Sequence, residues 1–492
     1  MRAVLRAGLT VALVVAAAAS LGACAGKAVS GTPLAVGNLD TTSAGGLEVT
    51  DGPSGPRDGV EDASLEVEGA DGGEMDRLAI NAIADLYEYW GEQLPKHFDQ
   101  EFEPLQRLLS YDSGGAGVQI CGASTADLVN AFYCGGGGED AIAWDRGKLL
   151  PMLNEMFGPM SVVGVLAHEM GHAVQFRLGE KSNISQSTPT IVREQQADCY
   201  MGNFFRYVAE DRSAHFQINT GKGLNDILAT LFFIRDPAGL DHRTQGAHGL
   251  AFDRVYAFQE GFTNPPTRCA EMDPEEIEGR IAERERSDNE MQSNANEGDI
   301  DPTAEEIQAY LRDSLNQAFE DNEAEQPEIV ENGSTCENGE ATAPVTYCPE
   351  ENLVGYDADA LREIAAKPDP AAPPGEEGEG GLGDFAAFAE IASRYALAIQ
   401  KSVGLPLDDE NAGLRTACLT GAWAGYTDEE TEDRDLRLAI GDLDEAVAEL
   451  LQDDSLVAAD VNGKQVASGF ARVEAFRRGY MEGPAPCTTD FA

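Results

Sequence analysis

The chain has 492 residues, and its 87 acidic against 34 basic residues leave a formal net charge of −53. Binding to phosphate backbones needs basic patches, so this balance excludes nucleic acid as a partner and reads instead as a solubilising surface. Hydrophobic residues make up 42% of the chain, enough for two domains with cores of their own.

Residues 1–23 combine a basic start at Arg2 and Arg6, an apolar stretch over 9–19, and the run Leu21-Gly22-Ala23-Cys24. That run resembles a bacterial lipobox. The resemblance implies a signal peptide cleaved before Cys24, lipidation of that cysteine, and export to the outer face of the bacterial cell membrane, where the lipid anchors the chain. The apolar stretch is too short for a membrane span, and no later run reaches that length. Residues 24–74 are rich in Gly, Ser, Thr, Asp and Ala. They carry too little apolar surface to offset chain entropy, so a disordered tether is expected.

Helical spacing over 76–94, followed by Pro95, predicts the first helix of a domain spanning 75–270. Cys121 and Cys134 are close enough to staple a loop, and Ala141, Ile142, Ala143 and Trp144 read as a short strand. The stretch 161–179, SVVGVLAHEMGHAVQFRLG, repeats its apolar residues with a helical period and stops at Gly179, which predicts one buried helix. His168 and His172 are four apart, so both imidazoles leave one face about a turn apart, as two nitrogens binding one metal require. HEMGH matches HExxH, in which the histidines bind zinc and the glutamate, here Glu169, is general base toward water. Further on, 22 residues past His172 (194 minus 172), Glu194 and Asp198 share the face of a helix with Thr188 as expected cap and Pro189 as expected first residue. Glu194 suits a third zinc ligand, and Asp198 suits a hydrogen bond to the distal nitrogen of a liganding histidine.

HEMGHAVQ followed by EQQADCYMG resembles the neutral zinc metallopeptidase family of bacterial envelope proteins, a gluzincin-like group with HExxH on one helix and ExxxD on the next. The segment 247–262, AHGLAFDRVYAFQEGF, is similar to that family's closing helix through His248, Gly249, Arg254, Phe258 and Gly261, and departs from it at Leu250 and Phe252. The resemblance implies one zinc ion, Zn2+, per chain, held by His168, His172 and Glu194, with a peptide or protein as substrate. In zincins the strand before the metal helix commonly forms the sheet edge that pairs with an extended substrate, which implies main-chain substrate binding at 141–144; an interior strand fits these residues equally well.

The second half parallels the first. In VASGFARVEAFRRGYMEGPAPC, 466–487, Arg472, Phe476, Gly479 and Cys487 fall opposite Arg254, Phe258, Gly261 and Cys269. Cys418 falls opposite Cys199, and Cys336 and Cys348 opposite Cys121 and Cys134; the separations agree, since 269 minus 199 is 70 and 487 minus 418 is 69. Four cysteines in the same order and spacing argue for duplication. In the same register Ser393, Arg394, Leu397, Gly413, Ala417 and Val466 stand at His168, Glu169, His172, Glu194, Asp198 and His248, and all six histidines lie before residue 249. Residues 303–492 therefore read as a degenerate pseudo-peptidase copy without a zinc site, serving as a buttress or as a docking place for a protein partner. The same comparison marks His248 for stabilising a tetrahedral oxyanion or orienting substrate, beside the plainer reading of a helix-capping histidine.

Residues 271–302 are charged and poor in apolar side chains, as a linker is, and Thr303 with Glu306 forms a capping box for the helix that follows. Nine cysteines minus Cys24 leave eight, an even number suggesting four disulfides in an exported chain. Eight cysteines permit 105 pairings. The repeat narrows them to Cys121 with Cys134, Cys199 with Cys269, Cys336 with Cys348, and Cys418 with Cys487.

The fold expected is α+β, mainly helical: a zincin-like metallopeptidase domain with a small sheet, duplicated as an inactive second copy. The function expected is that of a zinc-dependent endopeptidase of the bacterial cell envelope. The alternative is a catalytically silent envelope lipoprotein that binds peptides or a partner protein.

Overall fold

The computed structural model describes residues 41–491 except 186, 238–239, 241–243, 245, 281–299, 321–324, 340, 368–379, 429–435 and 440. The expected signal peptide, with Arg2, Arg6 and Cys24, lies outside the described residues, as does most of the expected linker. The architecture is α+β, about half helical with small sheets. Among the described residues no helix is long and apolar enough to cross a membrane.

In the first half α1 (Glu74–Phe98) is followed by a three-stranded sheet of β1 (Arg107–Tyr111), β2 (Ala131–Gly136) and β3 (Glu139–Asp145). Pro95 does not end α1, which runs through it for three more residues. β3 is the central strand, parallel to β1 and antiparallel to β2. This corrects the expectation that Ala141, Ile142, Ala143 and Trp144 form a substrate-pairing edge. Arg107 to Tyr111 on one side and Ala131 to Gly136 on the other flank that strand, its residues from Asp140 to Asp145 are buried, and the free edge belongs to β2. A four-residue apolar run satisfies a central strand as well as an edge, so sequence alone did not separate them.

Helices α2 (Leu149–Phe157), α3 (Pro159–Leu178), α4 (Thr190–Ala209), α5 (Lys222–Phe233), α6 (Ala251–Thr263), α7 (Pro266–Glu271) and α8 (Pro274–Arg280) complete this half. α3 begins with Pro159 at its first turn, where a missing N–H costs nothing. Within HEMGH, a Cβ at Gly171 would lie 2.9 Å from the Ala197 Cα, so this glycine lets α4 approach α3 closely. At the next crossing, a Cβ at Gly261 would overlap the carbonyl oxygen of Cys199, which locks α6 onto α4. α4 starts at Thr190 after Pro189, and no side chain caps it. The Thr188 hydroxyl instead accepts from the Ser185 N–H, so its expected capping role is corrected.

The second half contains α9 (Glu305–Ala318), β4 (Glu328–Glu331), β5 (Val345–Cys348), β6 (Leu353–Tyr356), α10 (Ala358–Ile364), α11 (Asp384–Ser402), α12 (Ala412–Asp428), α13 (Asp442–Leu451), α14 (Gly469–Glu482) and α15 (Ala485–Thr489). Its sheet has β6 in the centre, parallel to β4 and antiparallel to β5, the order and directions of the first sheet. Gly479 meets the Cys418 carbonyl as Gly261 meets that of Cys199. The capping box expected of Thr303 and Glu306 does not form; α9 starts after Ala304 with no side-chain cap. Four disulfides join Cys121 to Cys134, Cys199 to Cys269, Cys336 to Cys348 and Cys418 to Cys487.

Two expected boundaries are corrected. Residues 41–73 are not a disordered tether but a strap hydrogen-bonded across the first half. Gly55–Pro56 pairs with Phe216–Gln217, Gly221 N–H donates to the Thr50 carbonyl (3.1 Å), Arg107 binds Glu68, and Ala44 is buried. Its ordering comes from polar contacts made at long range, which local hydrophobicity does not register. Residues 271–280 likewise belong to the first half rather than to a linker, since Met272 and Ile277 are fully buried and Arg268 pairs with Glu276 (2.5 Å).

The two halves share one continuous core. Phe262 packs on Phe470 (5.2 Å between centroids), Gln259 donates to the Phe470 carbonyl (2.9 Å), and Gly469 N–H donates to Asn225 (2.9 Å).

Candidate metal centre

α3 and α4 bring His168, His172 and Glu194 together, and each offers a donor atom within 4.8 Å of the others. His168 Nε2 lies 3.1 Å and His172 Nε2 3.3 Å from the same oxygen, Glu194 Oε2. Both rings are fixed from behind. His168 Nδ1 lies 2.7 Å from Asp198 Oδ1, while His172 Nδ1 lies 3.0 Å from Gln175 Oε1. Gln175 spends its amide N–H groups on the Arg193 carbonyl and Gln196, so its oxygen is left to accept. With each Nδ1 against an oxygen acceptor, each Nε2 faces inward, where its lone pair could meet a metal that displaces any proton held there.

Asp198 is itself held. Arg254 Nε and Nη2 bind it at 2.9 Å each, and Arg254 Nη1 donates to the Ile234 carbonyl. Burial disfavours the His168 cation, but Asp198 and Glu194 outweigh it and push its pKa up to about 10. A buried cation is thus favoured at this point, whether a proton or a metal supplies the charge. Burial raises the Glu169 carboxyl above its ordinary value, against the pull of the two imidazoles. Glu169 Oε2 accepts the Tyr133 N–H on β2 (2.8 Å), so this carboxylate sits against the outer strand of the sheet.

His248 reaches the same place from the segment before α6. Its Nε2 is 3.8 Å from Glu194 Oε2, and its Nδ1 is 3.5 Å from Asp236 Oδ1. Asp236 also accepts the N–H groups of His248 (2.5 Å) and Gly249 (2.7 Å). Burial works against the Asp236 charge, but His248 and these N–H groups win and lower its pKa. The expected residues His168, Glu169, His172, Glu194, Asp198 and His248 therefore converge, and only the 141–144 assignment lies away from them. Sequence reasoning missed Gln175, Asp236 and Tyr133. Gln175 stands three residues past His172, a spacing that places it beside that ring; Asp236 lies in irregular chain and Tyr133 acts through its backbone, so neither has a local signature.

In the second half, Gln400 donates to the Ala412 carbonyl (3.4 Å), as Gln175 does to that of Arg193. There, Arg394 lies buried and donates to the carbonyls of Asp460, Leu456 and Ala459. Burial pushes its pKa down to about 10. Leu397 and Ala417 are fully buried, and Val466 packs against Gly413. Comparison of the chain with protein-family models, curated proteins and solved structures finds no match.

Proposed function

We propose that the chain is a zinc-dependent peptidase with a single active centre, and that residues 303–492 are a degenerate second copy of the peptidase domain. The reading is carried by the convergence of His168 Nε2 and His172 Nε2 on Glu194 Oε2 within 3.3 Å, with both Nδ1 atoms already engaged. Two imidazoles and one carboxylate fit the donor set of a catalytic zinc that keeps a position open. Zinc bound there would polarise a peptide carbonyl and bring the pKa of water to about 7.

The chain's own groups do the rest. Glu169 takes the proton from the attacking water and passes it toward the leaving nitrogen, and its contact with Tyr133 orients it. His248, steadied by Asp236, donates to the oxygen that becomes negative in the transition state. The outer strand β2, in place of 141–144, offers its main chain to an extended substrate. Export and lipid anchoring at Cys24 belong to the same proposal.

Duplication is supported by the matching sheet order, the glycine crossings at Gly261 and Gly479, and the paired disulfides. Metal analysis of the purified chain tests the reading. About one zinc per chain is expected, lost in His168→Ala and His172→Ala and weakened in Glu194→Gln. A folded preparation that takes no zinc favours the silent binding lipoprotein instead, and two tightly held ions contradict the degenerate copy.

A further inference from the structure

Asp444, near the start of α13, crosses from the second half into the first and touches both stems of the segment that carries His248. One oxygen lies 2.8 Å from Arg235 Nε, just past the end of α5. The other accepts the Phe252 N–H at 3.1 Å, in the first turn of α6. Between these two points runs the chain 236–251, with His248 near its far end.

The neighbouring residues make that contact consequential. Arg235 is immobilised over the Phe232 ring (3.8 Å to the centroid) and donates to the Phe232 carbonyl (2.8 Å). The next residue, Asp236, holds the N–H groups of His248 and Gly249 and itself donates to the Gly249 carbonyl (3.0 Å). The preceding residue, Ile234, receives Arg254, which grips Asp198 behind His168. Three consecutive residues thus link the second half, His248 and the metal-ligand helix.

The reciprocal contact differs in kind. From the first half, Asn225 accepts the Gly469 N–H at the start of α14, a neutral group serving a segment that has Val466 at the place of His248. Among the described residues this charged clamp points toward the half that holds the histidines, and its counterpart at Asn225 is neutral.

We infer that Asp444 is a positioning residue for His248, so that the second half acts as a built-in subunit completing the first half's active centre. This role rests on the peptidase reading above, and the test separates the two. The full chain is compared with Asp444→Ala, Asp444→Asn, Arg235→Met, His248→Ala and the double variant Asp444→Ala/His248→Ala. Arg235→Met breaks the clamp from a partly exposed site and leaves the Phe252 bond, which guards against simple misfolding of the Asp444 variants.

Amide exchange over 249–255 should accelerate by about 10-fold or more in Asp444→Ala and Arg235→Met, with zinc content unchanged. In Asp444→Ala, kcat for peptide cleavage should fall about 10- to 100-fold with KM nearly constant, because the lost alignment matters in the transition state. Asp444→Asn, which keeps an acceptor for Phe252, should lie between. The double variant should be no slower than His248→Ala. Unchanged exchange over 249–255, or losses that multiply fully in the double variant, would overturn the positioning role. A chain that binds no zinc and cuts nothing, yet exchanges faster over 249–255 in both clamp variants, retains the clamp and loses the peptidase reading.

Discussion

Arg254 and Asp198 form a bidentate ion pair at 2.9 Å, fully buried, on the Nδ1 side of His168. In the register of the second half Ala417 stands at the place of Asp198 and Arg472 at that of Arg254, and burial, against the pull of Asp453 and Glu449, pushes the Arg472 pKa down to about 10. Arg254 reaches His168 through Asp198, whereas Arg472 donates to the Gln452 carbonyl.

Removing either member of a buried pair leaves the other charge uncompensated, at a cost of about 3–5 kcal/mol. Asp198→Ala should therefore lower the unfolding midpoint sharply and weaken zinc about 10- to 100-fold, the usual effect of losing a histidine's supporting acid. Arg472→Met should change stability by less than about 1 kcal/mol, because no pair is broken. Thermal melts and zinc titrations of both variants check the contrast.

Gly261→Ala should separate α6 from α4, because the added methyl overlaps the Cys199 carbonyl. The cost should be about 1–3 kcal/mol or more, and zinc affinity should fall with it, since α6 carries Arg254 and α4 carries Glu194. Gly479→Ala meets the Cys418 carbonyl in the same way and should destabilise similarly, yet leave zinc affinity per folded chain intact. Equal losses of zinc in the two variants would contradict this account.

Glu474 supplies a pH test away from the metal. Burial, with Glu260 nearby and against the pull of Arg477 and Arg478, pushes its pKa up to about 7 from an ordinary 4.5. The folded chain then binds this proton more tightly than the unfolded chain. The resulting stabilisation is complete below the unfolded value and is lost as pH rises through the folded one. Glu474→Gln should stabilise the chain by up to about 3 kcal/mol at pH 8.5 and leave it nearly unchanged at pH 4.5. Denaturant melts at the two values decide, and a gain that is the same at both would show that the carboxyl is not the cause.

Much of the centre was legible in the sequence because helix geometry converts spacing into direction. Four-residue steps put His168 beside His172 and Glu194 beside Asp198, and the order of cysteines anticipated all four disulfides. Features decided at long range were not legible. The strand 141–144 was identified, but whether it lies at an edge depends on β1 and β2 rather than on its own residues. Residues 41–73 looked incapable of order because their partners, such as Thr220, Asn219 and Arg107, lie far along the chain. Asp444 was equally hidden, since its two partners are in the other half.

Glu169→Gln tests the central claim most directly, because it leaves His168, His172 and Glu194 in place while removing the base. Wild type, Glu169→Gln, Arg394→Gln and a chelated control are to be assayed on a mixed peptide library with zinc content measured in parallel. Glu169→Gln should keep its zinc and lose cleavage by roughly 100- to 10,000-fold, whereas Arg394→Gln should cut as wild type does per zinc bound. If the wild type cleaves nothing that Glu169→Gln spares, while all forms bind the same peptides equally well, the chain is a binding protein and not a peptidase.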